Sequence, residues 1–276
     1  MKNKIILVFL FIICFQSLKA ENLNIQSSEI TIDKKSGTTT FKRNVIATDD
    51  ENNVLKSDNA EYKKDIEYLF SKGPTSITTS EGYFLTGENI IFDNQNKLIK
   101  SEDNAVLKDL ENNIIYLDNF EYSTKKNFFR SIGKIKIIDS KDNSYNFSQL
   151  YIDEEKREII GTDIKAFMNQ DNFKINQSNK PRIYANTVKI DSQVNEFTKS
   201  IFTLCDYRKE DKCPPWSLQA SKMKHDKKKK TIFYDNAVIK IYDLPIFYLP
   251  KLSHPDPSVD RRSGFLPPSF SDTKNL

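Results

Sequence analysis

Few side chains in this sequence are of types and spacings that do chemistry. Cys205 and Cys213 enclose a short loop, 206–212. Two thiols that close can oxidise to a disulfide or contribute to a metal site. Zinc wants four ligands, and no further set of suitable ligands stands nearby. In an exported chain, which the N-terminus below indicates, the intrachain disulfide is the expectation. Chain-entropy arguments give so short a loop roughly 2–3 kcal/mol of stabilisation. His254 and Asp256 stand two residues apart, a spacing that invites an acid–base reading. Prolines follow each of them, at Pro255 and Pro257, and no motif places a Ser or Cys nucleophile, so a rigid turn is expected instead. The lysine run 227–230 offers charge for a phosphate, but its position relative to the pattern below marks it as a solvated turn. No glycine-rich loop ending in Lys-Ser or Lys-Thr is present to hold a nucleotide. Neither a cofactor nor an enzymatic activity is expected.

The start of the chain sets its compartment. Lys2 and Lys4 precede an apolar run, 5–15, and Ala20 offers a small residue before Glu21. That is the pattern of a secretory signal peptide over 1–20. The run is too short to span a bilayer, which takes about 20 apolar residues. Cys14 lies inside the run and leaves with it. The net charge of +4 falls to about +1 without Lys2, Lys4 and Lys19, too little basic excess for a nucleic-acid partner.

The elements that must position everything else repeat. Asn59-Ala60-Glu61-Tyr62, Asn89-Ile90-Ile91-Phe92 and Asn119-Phe120-Glu121-Tyr122 follow one another at thirty residues, with Gln149-Leu150-Tyr151-Ile152 next in register. Val45, Thr75, Ala105, Ile135 and Lys165 form a second series, with Ala47, Ile77, Leu107, Ile137 and Phe167 two residues on. Each run alternates apolar and polar residues with a period of two and is rich in Ile, Tyr, Phe and Thr, which is strand composition. Polar clusters follow at matching offsets and read as turns. Each unit is therefore a strand, a turn and a returning strand. One unit cannot bury its apolar face alone, and stacked neighbours make a continuous core. The expected fold is all-β, an elongated antiparallel jelly-roll or sandwich of two facing sheets over 21–204. Residues 169–181 read as an insertion. The pattern resumes at Thr187-Val188-Lys189-Ile190, and again at Lys222-Met223-Lys224-His225.

Beyond Cys205 the composition changes. Eight of the ten prolines lie after Cys213. Trp216, the single tryptophan, reads as a buried anchor. The segment 205–260 is expected to hold the last repeats and a proline-rich stretch in which strands stop. It contains Pro245, Tyr248, Pro250, His254, Pro255, Asp256 and Pro257, and is followed by Arg261, Arg262, Ser263, Gly264 and Phe265. As a linked series these residues closely resemble the LPS-assembly outer-membrane protein LptD family, also called organic solvent tolerance protein. The repeats resemble that family's OstA-like periplasmic domain, a domain also found in soluble bridge proteins of the same pathway.

That resemblance implies a non-enzymatic role in carrying lipopolysaccharide to the outer membrane of a Gram-negative envelope. It implies an apolar groove for acyl chains, a periplasmic bridge protein of the same fold as partner through β-strand addition, and a plug lipoprotein where a barrel is present. The groove candidates are Ile90, Phe92, Phe120, Tyr122, Leu150 and Ile152, with Ile135 and Ile137 from the returning strands. Residues 261–276 resemble the passage into a first barrel strand. The barrel itself, many strands of about 9–11 residues, is missing from this sequence, so a fragment or a chain without the insertion machinery is expected. The competing expectations are a soluble periplasmic bridge component of the same pathway and a structural or adhesive β-repeat protein with a closed core and no lipid ligand. A carbohydrate-active enzyme would want carboxylates clustered on one face, and here they scatter over the turns.

Overall fold

The structure, a computed structural model, describes residues 23–49, 52–80, 82–169, 181–204, 215–255 and 259. The signal-peptide segment, both loop cysteines, Asp256, Pro257 and Arg261 to Phe265 lie outside the described residues. Among the described residues every regular element is a strand, and the nineteen strands join in one sheet. All pairings are antiparallel, as the repeat pattern requires. β1 (Asn24–Gln26) and β2 (Glu29–Asp33) both pair with β3 (Thr38–Thr48). β4 (Val54–Lys63) and β5 (Tyr68–Thr78) continue the meander. Next come three strands broken in the middle, each giving two short pieces. These are β6 (Phe84–Glu88) with β7 (Ile91–Asp93), β8 (Leu98–Ser101) with β9 (Ala105–Lys108), and β10 (Ile114–Leu117) with β11 (Phe120–Ser123). Long strands resume with β12 (Phe128–Ile138), β13 (Ser144–Asp153), β14 (Glu158–Phe167), β15 (Arg182–Ile190) and β16 (Val194–Thr203). β17 (Trp216–Asp226), β18 (Thr231–Ile241) and β19 (Leu244–Pro255) complete the order, with β17 pairing directly to β16.

The two facing layers are halves of this one sheet. Full-length strands change course near their middles. The register slips at Lys42/Val45, Ser57/Asn59 and Ile132/Ile135. Left-handed backbone stands at Asn44, Gly73, Gly133, Asp163, Lys199 and Asn236. An extra residue at such a point bends a strand and raises its local twist. The sheet thus folds along a corner that crosses every repeat. Ile90, Phe120 and Leu150 from one half and Ile115, Ile135 and Ile164 from the other then meet in a single core cluster. Ile90 itself falls in a break rather than in a strand, just after left-handed Asn89.

The turns keep the thirty-residue register in their backbone angles. Gly37, Glu67, Lys97, Asn127 and Arg157 are left-handed on one margin of the sheet, and Asn52, Gly82, Asn112 and Asp142 on the other. Most are not glycine, so each such residue costs about 1 kcal/mol or more, less for Asn and Asp. Hydrogen bonds between successive turns compensate. On the first margin Asn94, Thr124 and Glu154 donate their backbone N–H to the carbonyls of Glu67, Lys97 and Asn127 at 3.0–3.1 Å. On the second margin Asp109 and Asp139 each accept from the backbone and side chain of Asn113 and Asn143. Those asparagines accept in turn from the next turns, at Ser140 N and Asn169 N. The lysine run is such a turn, with Asp226 accepting from Lys229 N at 2.9 Å.

The proline-rich stretch corrects an expectation. Pro245 and Pro250 do not stop a strand but lie inside β19, which pairs along β18, and Pro255 is the last residue of that strand. β19 pairs with no other strand among the described residues. One side of an edge strand needs no N–H donor, so proline is tolerated there.

Asp139 ties this turn network to pH. Burial alone would raise its pKa, but hydrogen bonds from the Asn143 side chain and backbone, Lys141 N and the Tyr145 hydroxyl hold it below the ordinary carboxylate value. A lowered folded-state pKa gives stability that is present above the unfolded value and is lost as pH falls through the folded one. Urea midpoints measured from about pH 6 down to about pH 2 should therefore fall less steeply for Asp139→Asn than for the wild type. Parallel curves would remove Asp139 from the acid response.

Candidate functional site

Side chains alternate across a strand, so every second residue of each half-sheet points into the fold. Near the corner these inward residues are closed off. Ile90 and Leu150 are fully buried, and Ile135 and Phe120 nearly so. Two residues farther from the corner burial is only partial, at Phe92, Tyr122 and Ile152 on one half and Ile137 on the other. All eight candidate residues thus lie on the inward side. Seven belong to or pack against the larger core cluster, and Phe92 packs against a smaller one formed by Phe41, Val45, Ala47, Leu55, Ala60 and Leu69. The interior is therefore graded, with a dry floor at the corner and a half-exposed row toward the turns.

The floor is built from large and small residues in alternate strands. Outgoing strands supply Ile90, Phe120 and Leu150. Returning strands supply Ser71, Ser101, Ser131 and Gly161 at the same thirty-residue spacing. Each serine is buried and donates to a nearby backbone carbonyl, Ser71 to Ile90 at 3.1 Å, Ser101 to Glu88 at 2.6 Å and Ser131 to Asn119 at 2.6 Å. A buried hydroxyl must find such a partner. At Gly161 the space is filled from across the fold, where an added Cβ would stand 2.5 Å from Phe147 Cδ1. This small-residue series escaped a reading tuned to apolar residues, although its spacing was available to it.

At the rim, phenols turn outward while their rings stay in. Tyr122 donates to Glu154 Oε2 at 3.1 Å and Tyr145 to Asp139 Oδ2 at 3.1 Å. Burial, with the Asp139 charge beside it, pushes the Tyr145 phenol well above its usual value, so it stays neutral. Two open grooves of about 450 and 640 Å³ run along the corner and share Asn104 and Val106, and Ile135 is the only one of the eight candidates that lines either.

The C-terminal residues singled out above that the structure describes serve the sheet. Trp216 is half-buried and meets Phe202 edge-on at 6.1 Å. His254 stacks on buried Tyr234 with ring centroids 5.5 Å apart, and its Nε2 lies 2.9 Å from the Tyr234 hydroxyl. Its Nδ1 lies 2.7 Å from the Pro255 carbonyl oxygen. Both ring nitrogens are thereby engaged in fastening the end of β19 to β18. Tyr248 donates to Asn236 Oδ1 at 2.8 Å, while Leu244, Ile246, Phe247 and Tyr248 remain largely exposed along this edge. Among the described residues no group of three or more His, Cys, Asp or Glu is placed to hold a metal.

These features define a class, an all-β chain whose single antiparallel sheet folds over a graded apolar interior. The relatives are more particular, and they bear the LptD name to which the C-terminal motifs pointed. The chain is 25% identical over 180 residues to LPS-assembly protein LptD of Shewanella frigidimarina, covering 62% of this chain and 23% of that protein. It is 41% identical over 63 residues to LPS-assembly protein LptD of Shewanella sp. strain MR-4, covering 21% of this chain and 8% of that protein. The chain thus spans less than a quarter of the length of these curated relatives. No family model matches it. Among solved structures it is similar to LptH of Pseudomonas aeruginosa, described as the LptA-homologous periplasmic component of the lipopolysaccharide transport device, with 14% identity and a TM-score of 0.24 over 50% of this chain and 80% of that one.

The floor packing is directly testable. Gly161→Ala should lower the unfolding free energy by roughly 1–3 kcal/mol, the usual cost of overpacking, when measured by urea denaturation. An unchanged midpoint would mean that Phe147 does not occupy the space above Gly161.

Proposed function

We propose that this chain works in lipopolysaccharide transport at the periplasmic face of the outer membrane, as a non-enzymatic support for acyl chains. The observation that carries this reading is the half-exposed inward row of Phe92, Tyr122, Ile137 and Ile152, which recurs at repeat spacing above a closed floor. The LptD name of the curated relatives supports it. Shielding one methylene from water is worth about 0.8 kcal/mol, so even a shallow apolar row holds a multi-acyl lipid appreciably. Near-equivalent positions in successive repeats let the lipid step along without one deep trap. Sugars and phosphates stay outside in water. The work of moving the lipid is supplied elsewhere, and no cofactor takes part.

The fully buried Ile90, Phe120, Ile135 and Leu150 form the floor in this reading and do not touch lipid until neighbours move. A photo-crosslinking amino acid at Phe92 or Tyr122 should therefore trap lipopolysaccharide in cells about tenfold more than one at exposed Lys64, the ratio set by roughly 1.4 kcal/mol. Equal trapping at all three sites would sink the conduit. No trapping anywhere, in a chain that folds, would favour a closed-core structural protein.

The partner edge has its own support. Among the described residues β2 pairs only with β3, and its inward residues Ile30 and Ile32 are exposed, with no other described strand covering them. A free edge with a bare apolar row suits strand addition by a protein of the same fold. Crosslinkers at Ile30 or Thr31 should join this chain to a periplasmic bridge protein, and Thr31→Pro, which removes a backbone donor from that edge strand, should reduce the product. Joining to lipid alone would assign that edge to the conduit instead.

A further inference from the structure

The interior does not run unbroken from β2 to β19. The smaller core cluster ends at Leu69, and the larger one begins at Ile90 and Ala105. Ile77 is the only described residue that packs against both. Between them at the corner lie three buried hydroxyls. Thr75 Oγ1 has three acceptors within reach for its one proton, Ser71 Oγ at 2.8 Å, the Gly73 carbonyl at 3.0 Å and Ser57 Oγ at 3.3 Å. The backbone divides at the same place. β5 pairs with β7 through Tyr68–Phe70 and with β6 through Pro74–Thr78, and between these the strand is held at Ser71 and Gly73 by Ile90 and Asn89. Gly73 and Asn89 both have left-handed backbone. The larger of the two corner grooves, about 640 Å³, runs beside this line and is bordered by Ser57 and Thr75.

We propose that Ser57, Ser71 and Thr75 form a hinge, about which the N-terminal lobe of β1 to β5 bends against the rest of the sheet. Three properties make the seam yield before the rest of the core. Small side chains interdigitate little. A hydroxyl with several acceptors in reach exchanges one hydrogen bond for another as the angle changes, whereas interlocked apolar side chains must unpack. A hinge is a few residues that absorb backbone change. The ladder is split here as it is at β8/β9 and β10/β11, but only here does the split coincide with the boundary between the two apolar clusters. The adjoining groove gives the lobe room to move. Bending about this line swings the free β2 edge while leaving the floor of Ile90, Phe120 and Leu150 intact, so the lobe can meet a docked partner over a range of angles.

The test uses the purified lipid-free chain, so its outcome is independent of the lipid reading. Spin labels on unnatural amino acids at exposed turn positions Lys34 and Lys125 report across the seam, and labels at Lys125 and Lys228 report within the larger lobe. The distance distribution across the seam should be about twofold wider than the one within the lobe, as expected where a hinge rather than uniform sheet flexing dominates. Replacing the hydroxyls together, Ser57→Ala, Ser71→Ala and Thr75→Val, should narrow it toward the within-lobe width by joining the two apolar clusters. Equal widths in the wild type would overturn the hinge, whether or not the triple variant folds. A wide wild-type distribution left unchanged in a folded triple variant would overturn the role of the hydroxyls.

Discussion

Everything in this sheet depends on its apolar face being covered, and on the chain having nothing but more of itself to cover it with. No helix among the described residues lies across the sheet. Each strand therefore bends in its middle, and one half of the sheet becomes the lid of the other. The bend demands residues that accept left-handed backbone or a register slip, and they stand in the middle of strand after strand. That geometry in turn sets the burial gradient. Side chains beside the bend are enclosed from both halves, and those near the turns keep a side open to solvent.

The gradient separates two demands that would otherwise conflict. A stable fold wants a dry, interlocked core, and a lipid-handling surface wants apolar groups within reach. Here the large–small alternation of Ile90, Phe120 and Leu150 with Ser101, Ser131 and Gly161 satisfies the first along the corner. Phe92, Tyr122, Ile137 and Ile152 keep part of their surface open, as the proposed lipid row requires. The turn ladders keep successive repeats in register, because each asparagine or carbonyl in one turn is bonded to the next. Individual surface ion pairs such as Arg130–Glu121 add little by comparison, since exposed pairs are worth at most about 1 kcal/mol.

The two edges of the sheet are unlike. β2 is proline-free, polar on its outer face and apolar on its inner one. β19 carries three prolines and exposes apolar side chains on both faces. Prolines on an edge discourage strand pairing. Of the two edges among the described residues, only that of β2 is free of proline.

The residue pattern alone determined the strand content, the repeat length and the turn positions, all of them local or periodic properties. The lysine turn at 227–230 was legible for the same reason. Other features were decided by tertiary contacts. Which of the two alternating sets faces inward was decided by the fold, because a mid-strand bulge switches the parity. Whether two facing layers are separate sheets or one bent sheet depends on mid-strand bulges, and a lone Asn44, Gly73 or Gly133 marks a local irregularity without showing that the strands all bend along one line. Pro245, Pro250 and Pro255 could be placed in a strand only once β19 was known to lie at an edge. The distinction between Ile90, which is sealed, and Phe92, which is half open, comes from distance to the corner, and the corner exists only when every strand has bent together.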